Sequence, residues 1–158
     1  RVAFPVTQEG RMVGYQARTI LADTKAPKML TVGKVGGKAL MFDQNLNPGY
    51  VILAEGPFDA MKCCNLKGWV ATMGKGVTEQ QLKLALKHSP NRLYLALDPD
   101  AARDVTRLIK TAGQQTEVYK LDPLPGYKDL GEMTPAQVEE AFDMARPVNP
   151  GQLFVFLK

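Results

Sequence analysis

The sequence predicts an α/β fold in which a parallel sheet is covered by helices and preceded by a small β-rich leader. Three observations lead there. The short apolar runs YVILA, WVAT and RLYLAL are continuous rather than alternating, as in strands buried on both faces. Amphipathic stretches with capping residues fall between them, so strand and helix alternate along the chain. The first 21 residues differ in kind: apolar side chains recur with period two on either side of QEGR.

Val2, Phe4 and Val6 form the first arm of that hairpin and Val13, Tyr15 and Ala17 the second. Pro5 donates no backbone hydrogen bond, which limits the first arm to a sheet edge or to a position that needs no donated bond. Residues 22–49 read as irregular, punctuated by Pro27, Gly33, Gly36, Gly37, Pro48 and Gly49. The main unit then starts at Tyr50 with YVILA. A helix through Phe58 and Met61 follows, closed by Gly68, and WVAT is the next strand.

Thr78 with Gln81 three residues on is a capping box for a helix whose stripe is Leu82, Ala85 and Leu86. After RLYLAL, Asp100 can cap a helix with Val105, Leu108, Ile109 and Ala112 on its inner face and Gly113 at its end. TEVYKL is a fourth strand and DPLPGYKDLGEM a polar loop. Thr134, Pro135 and Gln137 then cap a last helix carrying Val138, Ala141 and Phe142. These segments divide the chain into a basic leader (1–49), an α/β unit (50–146) and a tail (147–158) whose LFVFL reads as an edge strand or the start of a further region.

Composition excludes several classes. At 158 residues, 45% hydrophobic and 23% charged, the chain is neither disordered nor in need of a disulfide or metal staple. It contains no apolar run long enough to span a bilayer, and RVAFPVTQEG lacks the pattern of a secretory signal. The absence of an initiator Met predicts an excised or trimmed piece of a longer chain. Cys63 and Cys64 are adjacent and His88 is the single histidine, so neither a structural zinc site nor a disulfide framework is encoded. A reducing, cytoplasmic setting follows. The net charge of +4 lies wholly in residues 1–50, with 7 Lys or Arg against 3 Asp or Glu. Such a flank suits a polyanion, although a charge this small does not by itself select nucleic acid.

Acidic residues stand at strand ends, where open α/β sheets bind ligands. Glu55 ends YVILA; Asp98 and Asp100 end RLYLAL and share one side of an extended chain; Asp129 follows the fourth strand, with Glu132 close behind. If the YVILA and RLYLAL strands are neighbours, three or four carboxylates converge and require a cation between them. An all-oxygen donor set without His or Cys suits Mg²⁺ or Mn²⁺, which serve phosphoryl chemistry. Asp59, a turn beyond Glu55, can support that site or complement a helix dipole. Lys75 and Lys128 are candidates for phosphate contact. TVGKVGGKA is not a phosphate loop, because Val32 replaces the first Gly and Ala39 the metal-binding Ser or Thr. No dinucleotide fingerprint follows YVILA, and neither cysteine has a base.

EGPFDAMK (55–62), ALDPDAA (96–102) and KDLGE (128–132) together resemble the Toprim domain of DNA primases, topoisomerases and some nucleases. RVAFPV with GRMVGYQAR, PKML, VATMGKGVTEQQ and GYKDLGE is similar, within that family, to the RNA polymerase core of bacterial and phage primases. The resemblance covers about residues 1–133 and implies a Rossmann-like Toprim sheet. It also implies a metal site formed by Glu55, Asp98, Asp100 and Asp129, the first three catalytic. Pro99 and Ala102 depart from the usual primase pattern, which has glycine at both positions, and so alter the local loop.

The implied activity is metal-dependent synthesis of RNA primers from nucleoside triphosphates on a single-stranded DNA template. Arg11, Arg18, Lys28, Lys34 and Lys38 are the candidates to contact the template or RNA–DNA heteroduplex backbone, Arg18 and Lys28 first among them. A replicative helicase would be engaged through regions outside this chain. A Toprim nuclease and a catalytically silent binding module share the same acidic motifs and stay open as alternatives. A topoisomerase would further need a catalytic tyrosine.

Overall fold

The computed structural model describes residues 1–22, 25–33, 35–74, 76–98 and 102–148, with backbone alone for 102–105. The hairpin forms as its alternation requires, with β1 (Val2–Gln8) antiparallel to β2 (Arg11–Arg18). Pro5 lies on β1, the sheet edge, where its missing N–H costs no ladder bond. The stretch expected to be irregular contains a third strand, β3 (Met29–Gly33), paired antiparallel with β2. Its residues are largely exposed and carry no in–out alternation, so periodicity could not reveal it.

The main sheet has the order β5–β4–β6–β7–β8. Four strands are parallel: β4 (Tyr50–Ala54), β5 (Trp69–Ala71), β6 (Arg92–Ala96) and β7 (Glu117–Lys120). The two-residue β8 (Arg146–Pro147) adds an antiparallel edge. The LFVFL segment, expected there as a strand, lies outside the described residues.

Successive β4 side chains go to opposite faces, which explains the continuous apolar run. Ile52 and Ala54 join Tyr94, Ala96 and the β1 residues Phe4 and Val6 in one core layer. Ala60 of α1 (Pro57–Lys62), Cys63 at that helix's C-cap, and Val138 and Ala141 of α4 (Pro135–Asp143) close that layer. Val51, Leu53, Leu93 and Leu95 face the other way. They meet Leu82 and Ala85 of α2 (Glu79–Ala85) and Leu108, Ile109 and Ala112 of α3 (Ala102–Ala112). Each fully buried aliphatic side chain contributes about 1.5–3 kcal/mol of transfer free energy. No helix among the described residues is long and apolar enough to cross a membrane.

Both predicted capping boxes are present. Thr78 Oγ1 accepts from Gln81 N at 3.1 Å while Gln81 Oε1 accepts from Thr78 N at 3.1 Å, and Thr134 and Gln137 repeat the exchange. The leader does not stand apart from the main sheet. Val35, Ala39 and Met41 belong to its core, and Met41 forms an antiparallel bridge with Ala71 of β5. That packing lays the leader sheet beside the carboxyl end of β4.

Candidate metal centre

β4 and β6 are hydrogen-bonded neighbours, with Ala54 opposite Ala96. The chain leaves both strands at the same rim, so Glu55 and Asp98 emerge side by side and both line one cleft. This open cleft of about 870 Å³ is walled on one side by Gln16, Arg18, Met29 and Thr31 of the leader. Asp59, Lys128, Asp129 and Glu132 also line it. Glu55 is half-buried, its carbonyl accepting from Met73 N at 3.0 Å and Thr72 Oγ1 at 3.3 Å.

Asp129 takes up its position by capping a 3-10 turn over Leu130–Glu132, its Oδ1 accepting from Glu132 N at 3.1 Å. The turn packs on α1, and Gly131 N donates to Asp59 Oδ1 at 2.9 Å. Two glycines make that approach feasible. A Cβ at Gly131 would lie 2.9 Å from Asp59 Oδ1 and 3.1 Å from Asp129 Oδ1, and one at Gly56 would lie 2.8 Å from Asp59 Oδ2. The two carboxylates thus share one glycine surface. Desolvation raises the Asp59 carboxyl above its usual range, the charge of Asp129 raises it further, and Asp98 adds to the effect; hydrogen bonds from Gly131 and Gly56 oppose the shift.

Like charges gathered in this way suit a cation. The donors are all carboxylate oxygens; the nearby Cys63 is a buried thiol pushed up to about 12 by desolvation, Asp59 and Cys64, and is no ligand. The donor chemistry therefore fits Mg²⁺ or Mn²⁺. Among the described residues, no group of three His, Cys, Asp or Glu side chains is close enough together to hold an ion. Asp100 lies outside the described residues, as do Lys75 and Lys34.

The remaining candidates are dispersed. Lys128 is exposed on the cleft, and its backbone N–H donates to Glu132 Oε2 at 2.9 Å. Arg18, at the cleft end of β2, holds its guanidinium 5.1 Å from the centroid of the Phe58 ring. Lys28 is beside it, since Met29 pairs with Arg18 and Thr19 N donates to Lys28 O at 2.9 Å. Arg11 is at the opposite end of β2, roughly 24 Å away at ordinary strand rise. Lys38 is exposed in a turn, with its N–H donated to Val35 O. Sequence reasoning placed Phe58 on a helix without its contact to Arg18, and passed over Gln16 and the two glycines. Glycines in EGPFD and DLGE read locally as turn residues, and only the tertiary packing puts them against carboxylates.

A sheet with acids gathered where two adjacent parallel strands end defines the class. A family model described as Toprim-like matches residues 52–134, just over half of the sequence, and the chain belongs to that family. The leader extends the match. The fold follows a crystal structure of the Aquifex aeolicus primase comprising its zinc-binding and RNA polymerase domains, with a TM-score of 0.75 and 25% identity over 94% of this chain. It equally follows the RNA polymerase domain of the Mycobacterium tuberculosis primase DnaG, with a TM-score of 0.74 and 16% identity over 98% of this chain. The chain is thus a Toprim-family member whose leader and main sheet together have the fold of primase RNA polymerase domains. The chain spans 41% of the Aquifex structure and 56% of the Mycobacterium one. No curated protein sequence matches it.

Proposed function

We propose that this chain is the nucleotidyl-transfer core of a primase, joining ribonucleotides into a primer on single-stranded DNA. The observation that carries this reading is the convergence of Glu55 and Asp98 with Asp59 and Asp129 in a cleft whose opposite wall holds Arg18. Glu55, Asp98 and Asp129, with Asp100, would hold Mg²⁺ or Mn²⁺. When bound, such an ion neutralises phosphate charge and favours attack of a primer 3′-hydroxyl on the α-phosphorus, with pyrophosphate leaving. Asp59, fixed by Gly131 and Gly56, orients the Asp129 side of the site.

Arg18 and Lys28 form the basic edge along which a template or heteroduplex backbone would lie, with Lys128 on the nucleoside triphosphate side. Contacts of this kind position nucleic acid without reading its sequence. A replicative helicase would be reached through polypeptide outside this chain, in the cytoplasm of a bacterial or phage-infected cell. The alternative, phosphodiester hydrolysis by the same acids, is separated by product. The longest native polypeptide carrying this chain is incubated with Mn²⁺, ribonucleotides and end-labelled single-stranded DNA. New oligoribonucleotides that disappear in Glu55→Gln support transfer; shortened DNA with no new strand assigns hydrolysis instead.

A further inference from the structure

Gln16 stands out in the cleft wall. It is only 4% exposed, and its Nε2 donates to Met73 O at 3.1 Å and to Thr31 Oγ1 at 3.4 Å. Its Oε1 is buried without a hydrogen-bond partner among the described residues. A buried acceptor left unmade costs about 1–3 kcal/mol, a cost that an apolar side chain of the same length would avoid. That cost offsets what the two donated bonds contribute, about 0.5–1.5 kcal/mol each, so net stability is a weak reason for a glutamine at this position.

Its hydrogen bond to Met73 does account for it. Met73 has φ +68, left-handed backbone that L side chains adopt at a cost of about 1–2 kcal/mol. The next amide contacts lead straight to the acidic rim: Met73 N donates to Glu55 O at 3.0 Å and Thr72 N to Ala54 O at 3.0 Å. Thr72, itself buried, also donates from Oγ1 to Glu55 O. A path of hydrogen bonds thus runs from the leader sheet through the strained residue to the main chain of Glu55.

We propose that Gln16 is a positioning residue of this centre, holding Met73 in its left-handed conformation and through it fixing where Glu55 presents its carboxylate. The inference rests on the metal-dependent reading of the cleft for its effect on ion binding, but its effect on the backbone is independent of that reading. Gln16→Met keeps the length and packing of the side chain and removes both polar ends. Three measurements on the chain decide the matter: thermal midpoint, Mn²⁺ affinity by electron paramagnetic resonance, and amide exchange of Met73 beside that of Val51 and Leu53.

The expected result is a midpoint equal to or above wild type, Mn²⁺ affinity at least fivefold weaker, and Met73 exchange at least tenfold faster while the β4 amides stay protected. A lowered midpoint with Mn²⁺ affinity within twofold of wild type makes Gln16 a packing residue and overturns the proposal. If wild type itself fails to bind Mn²⁺, the metal reading falls, and Met73 exchange alone judges Gln16: unchanged protection overturns it. Should Gln16→Met fold poorly, Gln16→Glu, which also lacks the donor to Met73, carries the exchange measurement.

Discussion

Replacing Gly131 by Ala perturbs the acidic cradle without removing a carboxylate. The new Cβ would stand 2.9 Å from Asp59 Oδ1 and 3.1 Å from Asp129 Oδ1, whereas ordinary contact begins at 3.4 Å. Both oxygens must withdraw by a few tenths of an ångström. The bond from Gly131 N to Asp59 Oδ1, 2.9 Å long, lengthens with them. Hydrogen bonds to charged groups are worth about 1.5–3 kcal/mol, so losing a third of one costs about 0.5–1 kcal/mol. Alanine returns about 0.4–1 kcal/mol by restricting the unfolded chain, and Gly131 has no positive φ to forbid it. Stability should therefore change by less than about 1 kcal/mol.

Ion binding should respond far more. Mg²⁺ tolerates little departure from octahedral oxygens at about 2.0–2.1 Å. Moving the donor Asp129 and the Asp59 carboxylate that orients it by tenths of an ångström should weaken Mg²⁺ or Mn²⁺ binding about tenfold, equivalent to about 1.4 kcal/mol. Mn²⁺ titration followed by electron paramagnetic resonance reads the affinity, and a thermal melt reads the fold. Gly36→Ala is the control, because nothing lies within 4 Å of its would-be Cβ. A Gly131→Ala protein that melts like wild type and binds Mn²⁺ equally well would refute the shared cradle as part of the metal centre.

Three further outcomes follow from the same geometry. In EDTA, Asp129→Asn should be more stable than wild type near pH 7, because it removes a charge that holds the Asp59 carboxyl above its usual range. A carboxyl raised in the folded state favours the fold below its unfolded value and loses that benefit as pH rises. The gap between the two melting curves should therefore close as pH falls through Asp59's raised range, and a gap constant with pH would count against the coupling. Arg18→Ala should weaken single-stranded DNA binding similarly for all sequences and reduce the salt slope by about one; an unchanged slope would remove Arg18 from the phosphate contacts. Iodoacetamide should label exposed Cys64 in the native protein and spare Cys63, which is buried with its thiol pushed up to about 12; mass spectrometry of the digest would show equal labelling if the core opened there.

Local chemistry made much of the molecule legible in the sequence. The runs YVILA and RLYLAL are apolar at every position because both sheet faces are covered, as the separate layers around Ile52 and Leu53 show. Thr78 and Thr134 announce their helices because a cap and its partner are three residues apart and need nothing distant. Glu55 and Asp98 could be placed at one rim because each follows a strand with the same direction. β3 and β8 were not legible: one is exposed nearly throughout, and the other is two residues long.

What the tertiary structure alone decided are meetings between segments far apart in the chain. No periodicity could say that the 3-10 turn at Leu130–Glu132 would press Gly131 against Asp59, or that Gln16 would reach from the leader to Met73 beyond β5. A residue's type and its neighbours determine which face it prefers, because burial and capping act within a few residues. Which carboxylates share a site depends on how finished strands and helices pack, and that free energy is spread over the whole core.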